Sequence, residues 1–223
     1  MPLPGNRRCL YTIEAMMELV QKGGPLMWLI LACSITALGV FLERLVHLHR
    51  CSIKTGDFLR GLANLLKAGN YAEAIQECAG TPGPVPRVLH AMLLRHDADR
   101  EELRDIAQEA GQLEVPDLER NLALLGTIAY ASPLVGLLGT ILGLLTAFQQ
   151  ITTLGGYATA AEIAGGVYES LLTSAAALTV AIPAFVAHSY LSARVNDVVH
   201  DIERAAIEML EILRADQTRR TPR

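Results

Sequence analysis

GVYESLLTSAAALTVAIPAFVAHSYL, Gly166 to Leu191, decides how the rest of this chain is read. From Ser170 to Ala193 there are 24 residues without a charge when His188 is neutral. An apolar run of 18 or more is a candidate membrane-spanning helix, which needs about 20 residues. A single acid, Glu169, stands on the leading edge of the run, inside an uncharged segment that opens at Ile163. A carboxylate at the centre of a span costs about 2.5–3.5 kcal/mol on insertion scales, so such a residue faces a bundle interior or a water-filled path.

The composition agrees with a membrane protein that also carries water-exposed parts. Of 223 residues 51% are hydrophobic, and the mean hydropathy of +0.31 is high for a soluble domain. Yet 19% are charged, too many for a wholly buried chain, so the charge must be segregated into separate segments. Only 5% are aromatic, with Trp28 the sole tryptophan, which favours Leu, Ala and Gly helices packed on each other over an aromatic-lined pocket. The net charge of −4 and the scatter of Lys and Arg give no footprint for nucleic acid. Cys9, Cys33, Cys51 and Cys78 show no CxxC spacing, so they read as free thiols rather than as a metal set.

Three spans follow from the pattern, and the fold class expected is an all-α membrane protein. The expected division is a tail with a short amphipathic helix (1–22), a first span (23–46), a cytoplasmic helical domain (47–120), a second span (121–150), a short outer loop (151–162), a third span (163–193) and a C-terminal helix and tail (194–223). Residues 1–10 read as disordered. Ile13, Met16, Met17 and Val20 then fall at helical spacing. After span one, His47, His49, Arg50 and Lys54 read as a basic belt at the membrane edge or, less simply, as metal ligands. AGNYAEAIQECA resembles half of a helical repeat without a second copy, and TPGPVP, Thr81 to Pro86, breaks the helix behind it. Pro116 marks a further expected break, with Asp117 able to cap the next helix. No Gly or Pro occurs between Ala184 and Thr221, so the third helix should run well beyond the membrane, as should span two at its inner end.

Lys and Arg follow spans one and three, and none lies between spans two and three. The positive-inside rule therefore places the N-terminus outside and the long loop and C-terminus in the cytoplasm.

On helical wheels, Ala129, Pro133, Gly136, Thr140, Gly143 and Ala147 share one arc of span two, and Gly139 pairs with Gly143 as a GxxxG. Gly166, Glu169, Thr173, Ala176, Val180, Ala184 and Ala187 share an arc of span three. Close packing of helices explains the small residues. It leaves Glu169 unexplained, because no Lys or Arg occurs between Arg120 and Arg194. An acid without a basic partner, beside hydroxyls on a small-residue face, suits a polar lumen formed by several copies. His188 is either the far end of a proton relay or an interfacial histidine, and Pro183 kinks span three or frees a carbonyl.

At these residues the chain resembles the MotA/TolQ/ExbB proton-channel family, in its ExbB/TolQ branch. The matching stretches are ASPLVGLLGTILGLLTAF in span two and GVYESLLTSAAALTVAIPA in span three, with looser agreement in ALGVFLERL and AGNYAEAI…VPRVLHAML. The resemblance implies a bacterial inner-membrane subunit that assembles as a homopentamer around an ExbD/TolR-like single-span partner. That partner carries the aspartate that takes up and releases protons, and the motion reaches a TonB/TolA-like protein in the envelope. The family's span-two threonine falls on Thr140, its span-three glutamate on Glu169 and its span-three threonine on Ser174, with Thr173 adjacent. Either hydroxyl is a candidate lumen residue, and Gly136, Gly139, Gly143 and Pro183 are candidates for helix packing.

Competing readings differ in what they need. A non-conducting oligomeric scaffold needs only the glycines. A Tol-type motor of envelope maintenance needs the same residues with another partner. A secondary transporter would need an inverted repeat. An enzyme would need a nucleophile–base pair, a metal set or a phosphate loop, and no such pattern is present. No cofactor is expected.

Overall fold

The computed structural model describes residues 24–51, 55–153 and 159–220. The expected disordered tail and amphipathic helix of 1–22, Lys54, and the middle of the loop between spans two and three lie outside the described residues. Every regular element among the described residues is helical: α1 (Gly24–Cys51), α2 (Thr55–Lys67), α3 (Tyr71–Gly80), α4 (Pro84–Leu94), α5 (Arg100–Glu119), α6 (Leu122–Thr153) and α7 (Ala160–Arg220). Among the described residues, three segments are long and apolar enough to cross a membrane: Gly24–Leu48, Leu122–Thr153 and Ile163–Ala215. The all-α membrane class expected from hydropathy is the class observed.

The chain forms two compact units. The first holds α1 as far as Phe41, α6 from Ala123, and α7 as far as Ser189. On α6 the buried stripe is Leu125, Ala129, Ser132, Gly136, Gly139 and Ala147, with Gly143 half-buried between the last two. On α7 it is Ser170, Thr173, Ala177, Ala181 and Ala184. Both stripes step by threes and fours, the spacing that keeps residues on one face of an α-helix. The helices run antiparallel in a fixed register: Gly143 meets Ser170 and Gly166, Gly139 meets Thr173, Gly136 meets Ala177 and Ser174, and Gly126 meets His188. Small side chains let the two backbones approach closely, which is how helices associate where lipid removes the hydrophobic drive. Leu134, Leu137, Ile141, Leu145 and Phe148 of α6 and Leu171, Leu178 and Ile182 of α7 stand outward and exposed. So large an apolar surface suits lipid or neighbouring helices rather than water.

The 100° wheel mixed two positions. Ala129, Gly136, Gly143 and Ala147 lie in the seam, whereas Pro133 and Thr140 lie at its margin and are half-buried. Ser132 and Gly139 complete the stripe instead. The seam is one arc of the helix turned away from the Pro133 and Thr140 side, because contact with α7, and not residue size alone, sets its centre.

The second unit holds the end of α1 from Leu42, α2 to α5, and α7 from Tyr190. Its helices pack in sequence order, α2 on α3, α3 on α4 and α4 on α5. Leu62, Leu66, Leu89, Met92 and Leu93 form its fully buried core. TPGPVP ends α3 as expected: α3 closes at Gly80, and Pro84 and Pro86 open α4. Proline suits a first turn because its missing N–H has no partner there. Cys78 is buried, and burial, with the neighbouring Glu77, pushes its thiol up to about 11. Burial also raises Glu114, against the pull of Arg87 at 3.1 Å. Val195, Val198, Ile202, Ala205, Met209 and Leu213 continue the buried stripe of α7, and Ile202 lies against Gly111 of α5.

Pro116 does not end its helix. It lies within α5, and the chain turns at Asn121, whose φ is 61°. A proline inside a helix forfeits one hydrogen bond and bends it, whereas a residue in the left-handed region stops it. Asparagine enters that region more readily than other side chains. The Asn121 amide donates to Glu43 Oε2 at 3.1 Å, and the Arg44 guanidinium donates to the Asp117 carbonyl at 3.2 Å. Asp117 thus gives its carbonyl to Arg44, and the end of α1 is tied to the α5–α6 corner.

Candidate functional site

Three helices meet around Glu169. The residue is exposed on α7, and its Oε1 lies 2.5 Å from where a Cβ would stand on Gly24, at the start of α1. Gly24 has φ +67°, a conformation that a side chain disfavours. One turn further along α7, Thr173 is 2% exposed, packed on Gly139 of α6, and its Oγ1 donates to the Glu169 carbonyl at 2.9 Å. Leu26 of α1 reaches the same glycine, 3.6 Å from its Cβ position. Glu169, Thr173, Gly139 and the first turn of α1 therefore form one cluster.

Thr140 and Ser174 meet differently. The Ser174 Oγ donates across the seam to the Gly136 carbonyl at 2.7 Å. In an α-helix that carbonyl is also the acceptor for the Thr140 N–H, so both residues converge on one peptide group of α6. The Thr140 hydroxyl itself bonds back to Leu137 O at 2.6 Å, leaving the residue half-buried at the seam margin. Gly136, Gly139 and Gly143 all lie where α7 approaches α6. Pro183 stands exposed within the unbroken α7. His188 packs on Gly126, its Nε2 2.9 Å from the Cβ position there, with Tyr130 against its ring at 6.5 Å.

Sequence reasoning passed over three participants. Ser170 is buried against Gly143 and bonds to Val167 O at 2.8 Å. Ser132 is 2% exposed in the α6 seam. Gly24 was hidden because its role depends on contact with a residue 145 positions away, though the Gly23–Gly24–Pro25 sequence was a turn signal.

The arrangement is an exposed carboxylate against the first turn of α1, with no Lys or Arg between Arg120 and Arg194 in the sequence, flanked by hydroxyls that bond to backbone carbonyls. No cluster of metal-ligating side chains occurs among the described residues. Fold and site together define a multi-pass helical membrane protein of the three-span kind. Residues 81–204 match the family model described as the MotA/TolQ/ExbB proton channel family. The chain is similar to a putative biopolymer transport protein ExbB homolog of Methanothermobacter thermautotrophicus, 29% identical over 188 residues. That alignment covers 84% of this chain and 66% of the relative, about two thirds of its length. It is similar to the biopolymer transport protein exbB1 of Vibrio cholerae, 31% identical over 185 residues, covering 81% of this chain and 80% of the relative. It is also similar to the Tol-Pal system protein TolQ of Haemophilus influenzae, 37% identical over 100 residues, covering 45% of this chain and 43% of the relative. The chain belongs to the MotA/TolQ/ExbB proton channel family, in its ExbB/TolQ branch.

Proposed function

We propose that this chain is the channel subunit of an inner-membrane motor that uses the proton motive force to energise an envelope process, with TonB-dependent import through the outer membrane as the first candidate. It works as a homopentamer around the transmembrane helices of an ExbD/TolR-like partner, whose aspartate carries the proton, and it acts on a TonB/TolA-like protein. Thr140, Glu169 and the Thr173–Ser174 pair line or flank the path. Its N-terminus is periplasmic and its C-terminus cytoplasmic.

The observation that carries this reading is Glu169: an acid without a Lys or Arg between Arg120 and Arg194, beside a glycine seam whose polar groups are hydroxyls. A sleeve that merely holds a partner helix has no use for it. The test replaces Glu169 by Gln and Thr140 by Ala in cells dependent on the system, alongside assembly of the purified oligomer. Both variants should abolish envelope energisation while the oligomer persists; full function in both refutes the proposal. A Tol-type role draws support from the 37% identity to TolQ over the shared 100 residues. The neighbouring partner gene, TonB-linked or Tol-linked, separates the two.

A further inference from the structure

The cluster around Glu169 raises the question of what offsets its charge. Among the described residues, the start of α1 meets its carboxylate. The first N–H groups of a helix have no partner within it and carry the positive end of the helix dipole, which favours an adjacent anion. α1 is 28 residues long, and it begins at Gly24, where the carboxylate Oε1 comes within 2.5 Å of the missing Cβ. The φ of +67° disfavours a side chain there, and an added Cβ would displace the flexible carboxylate. By contrast Gly165, one turn before Glu169 on α7, has open space around it.

We propose that Gly24 is a positioning residue for Glu169: its bare Cα makes a berth in which the carboxylate rests against the first turn of α1. The berth gives the acid a defined place on its own protomer, on the α1 side of α7. Turning the side chain out of it frees the acid toward whatever α7 faces in the assembly. Its consequence for proton transfer rests on the function proposed above, but the berth itself does not.

The experiment reads the position of the carboxylate directly. The full chain in membranes is treated with a hydrophobic carbodiimide, which modifies carboxyl groups it reaches from the apolar phase, and the rate of modification at Glu169 is followed by mass spectrometry. Gly24→Ala adds the Cβ. Gly24→Asn adds it with a residue that accepts positive φ, so it serves where Gly24→Ala fails to insert. Each should raise the rate about two- to fivefold, the preference that a helix start confers on an adjacent anion. Gly165→Ala should leave it unchanged. In a Glu169→Asp background the shorter side chain falls short of the berth, and the Gly24 substitutions should lose their effect, as in a double-mutant cycle. An unchanged rate in the Gly24 variants overturns the proposal. So does an equal rise in the Glu169→Asp background, which assigns the effect to the backbone of α1. If Glu169→Gln retains full envelope function while these rates behave as stated, the motor reading fails and the berth stands.

Discussion

Replacing Gly136 by alanine tests the seam most sharply, because the same substitution elsewhere has the opposite sign. A Cβ on Gly136 would lie 2.7 Å from the Ala177 Cβ, 3.2 Å from the Ser174 Cα and 3.5 Å from the Ser174 carbonyl oxygen. Two of these neighbours are backbone atoms and the third has no rotamer, so α6 and α7 must separate. Overpacking of this kind costs about 1–3 kcal/mol. Separation also stretches the Ser174–Gly136 hydrogen bond of 2.7 Å, a contact class that contributes about 0.6 kcal/mol on average within membranes. Against this, alanine gains about 1 kcal/mol over glycine in helix propensity. The net is a loss of about 0.6–2.6 kcal/mol. Gly39 on α1 has nothing within 4 Å of its Cβ position, so Gly39→Ala keeps only the propensity gain and should be neutral or stabilising. The assay is reversible unfolding in mixed micelles, titrated with a denaturing detergent and followed by loss of tertiary signal. If Gly136→Ala is as stable as Gly39→Ala, the close approach of α6 and α7 is not what holds this unit together.

Two further outcomes concern the second unit. At Asn121, where φ is 61°, Asn121→Ala should cost about 1–2 kcal/mol through the left-handed backbone alone, while Asn121→Gly should cost less; thermal melts of both separate backbone strain from the lost bond to Glu43. Cys78, with its thiol pushed up to about 11 from 9.0, should be alkylated at pH 8 about a hundredfold more slowly than an ordinary thiol through lost thiolate alone. Because the folded state holds that proton more tightly than the unfolded one, its contribution to stability is complete below pH 9.0 and disappears as pH rises through about 11. Thiol-reactive titration with and without denaturant checks the first part, and melting temperature against pH the second.

The number and class of the helices were legible in the sequence because they follow from composition along the chain. An uncharged run of 24 residues permits few structures in a bilayer, since each backbone group must be bonded within its own helix or a closed barrel. TPGPVP was readable for the same local reason. Glu169 was conspicuous because a charge in such a run is costly wherever the helix goes. The prominence of Gly136 and Gly143 needed only their lack of side chains. Pairing was another matter. That Gly136 faces Ser174 and Gly139 faces Thr173 depends on the antiparallel register, which neither helix sets alone. The turn at Asn121 rather than Pro116 depends on Glu43 and Arg44, more than 70 residues earlier, holding that corner. Gly24 gains its meaning only when α1 brings its first turn to Glu169. Local chemistry decides what each segment is, whereas which segments touch depends on the joint packing of helices far apart in the chain, and that was decided by the tertiary structure.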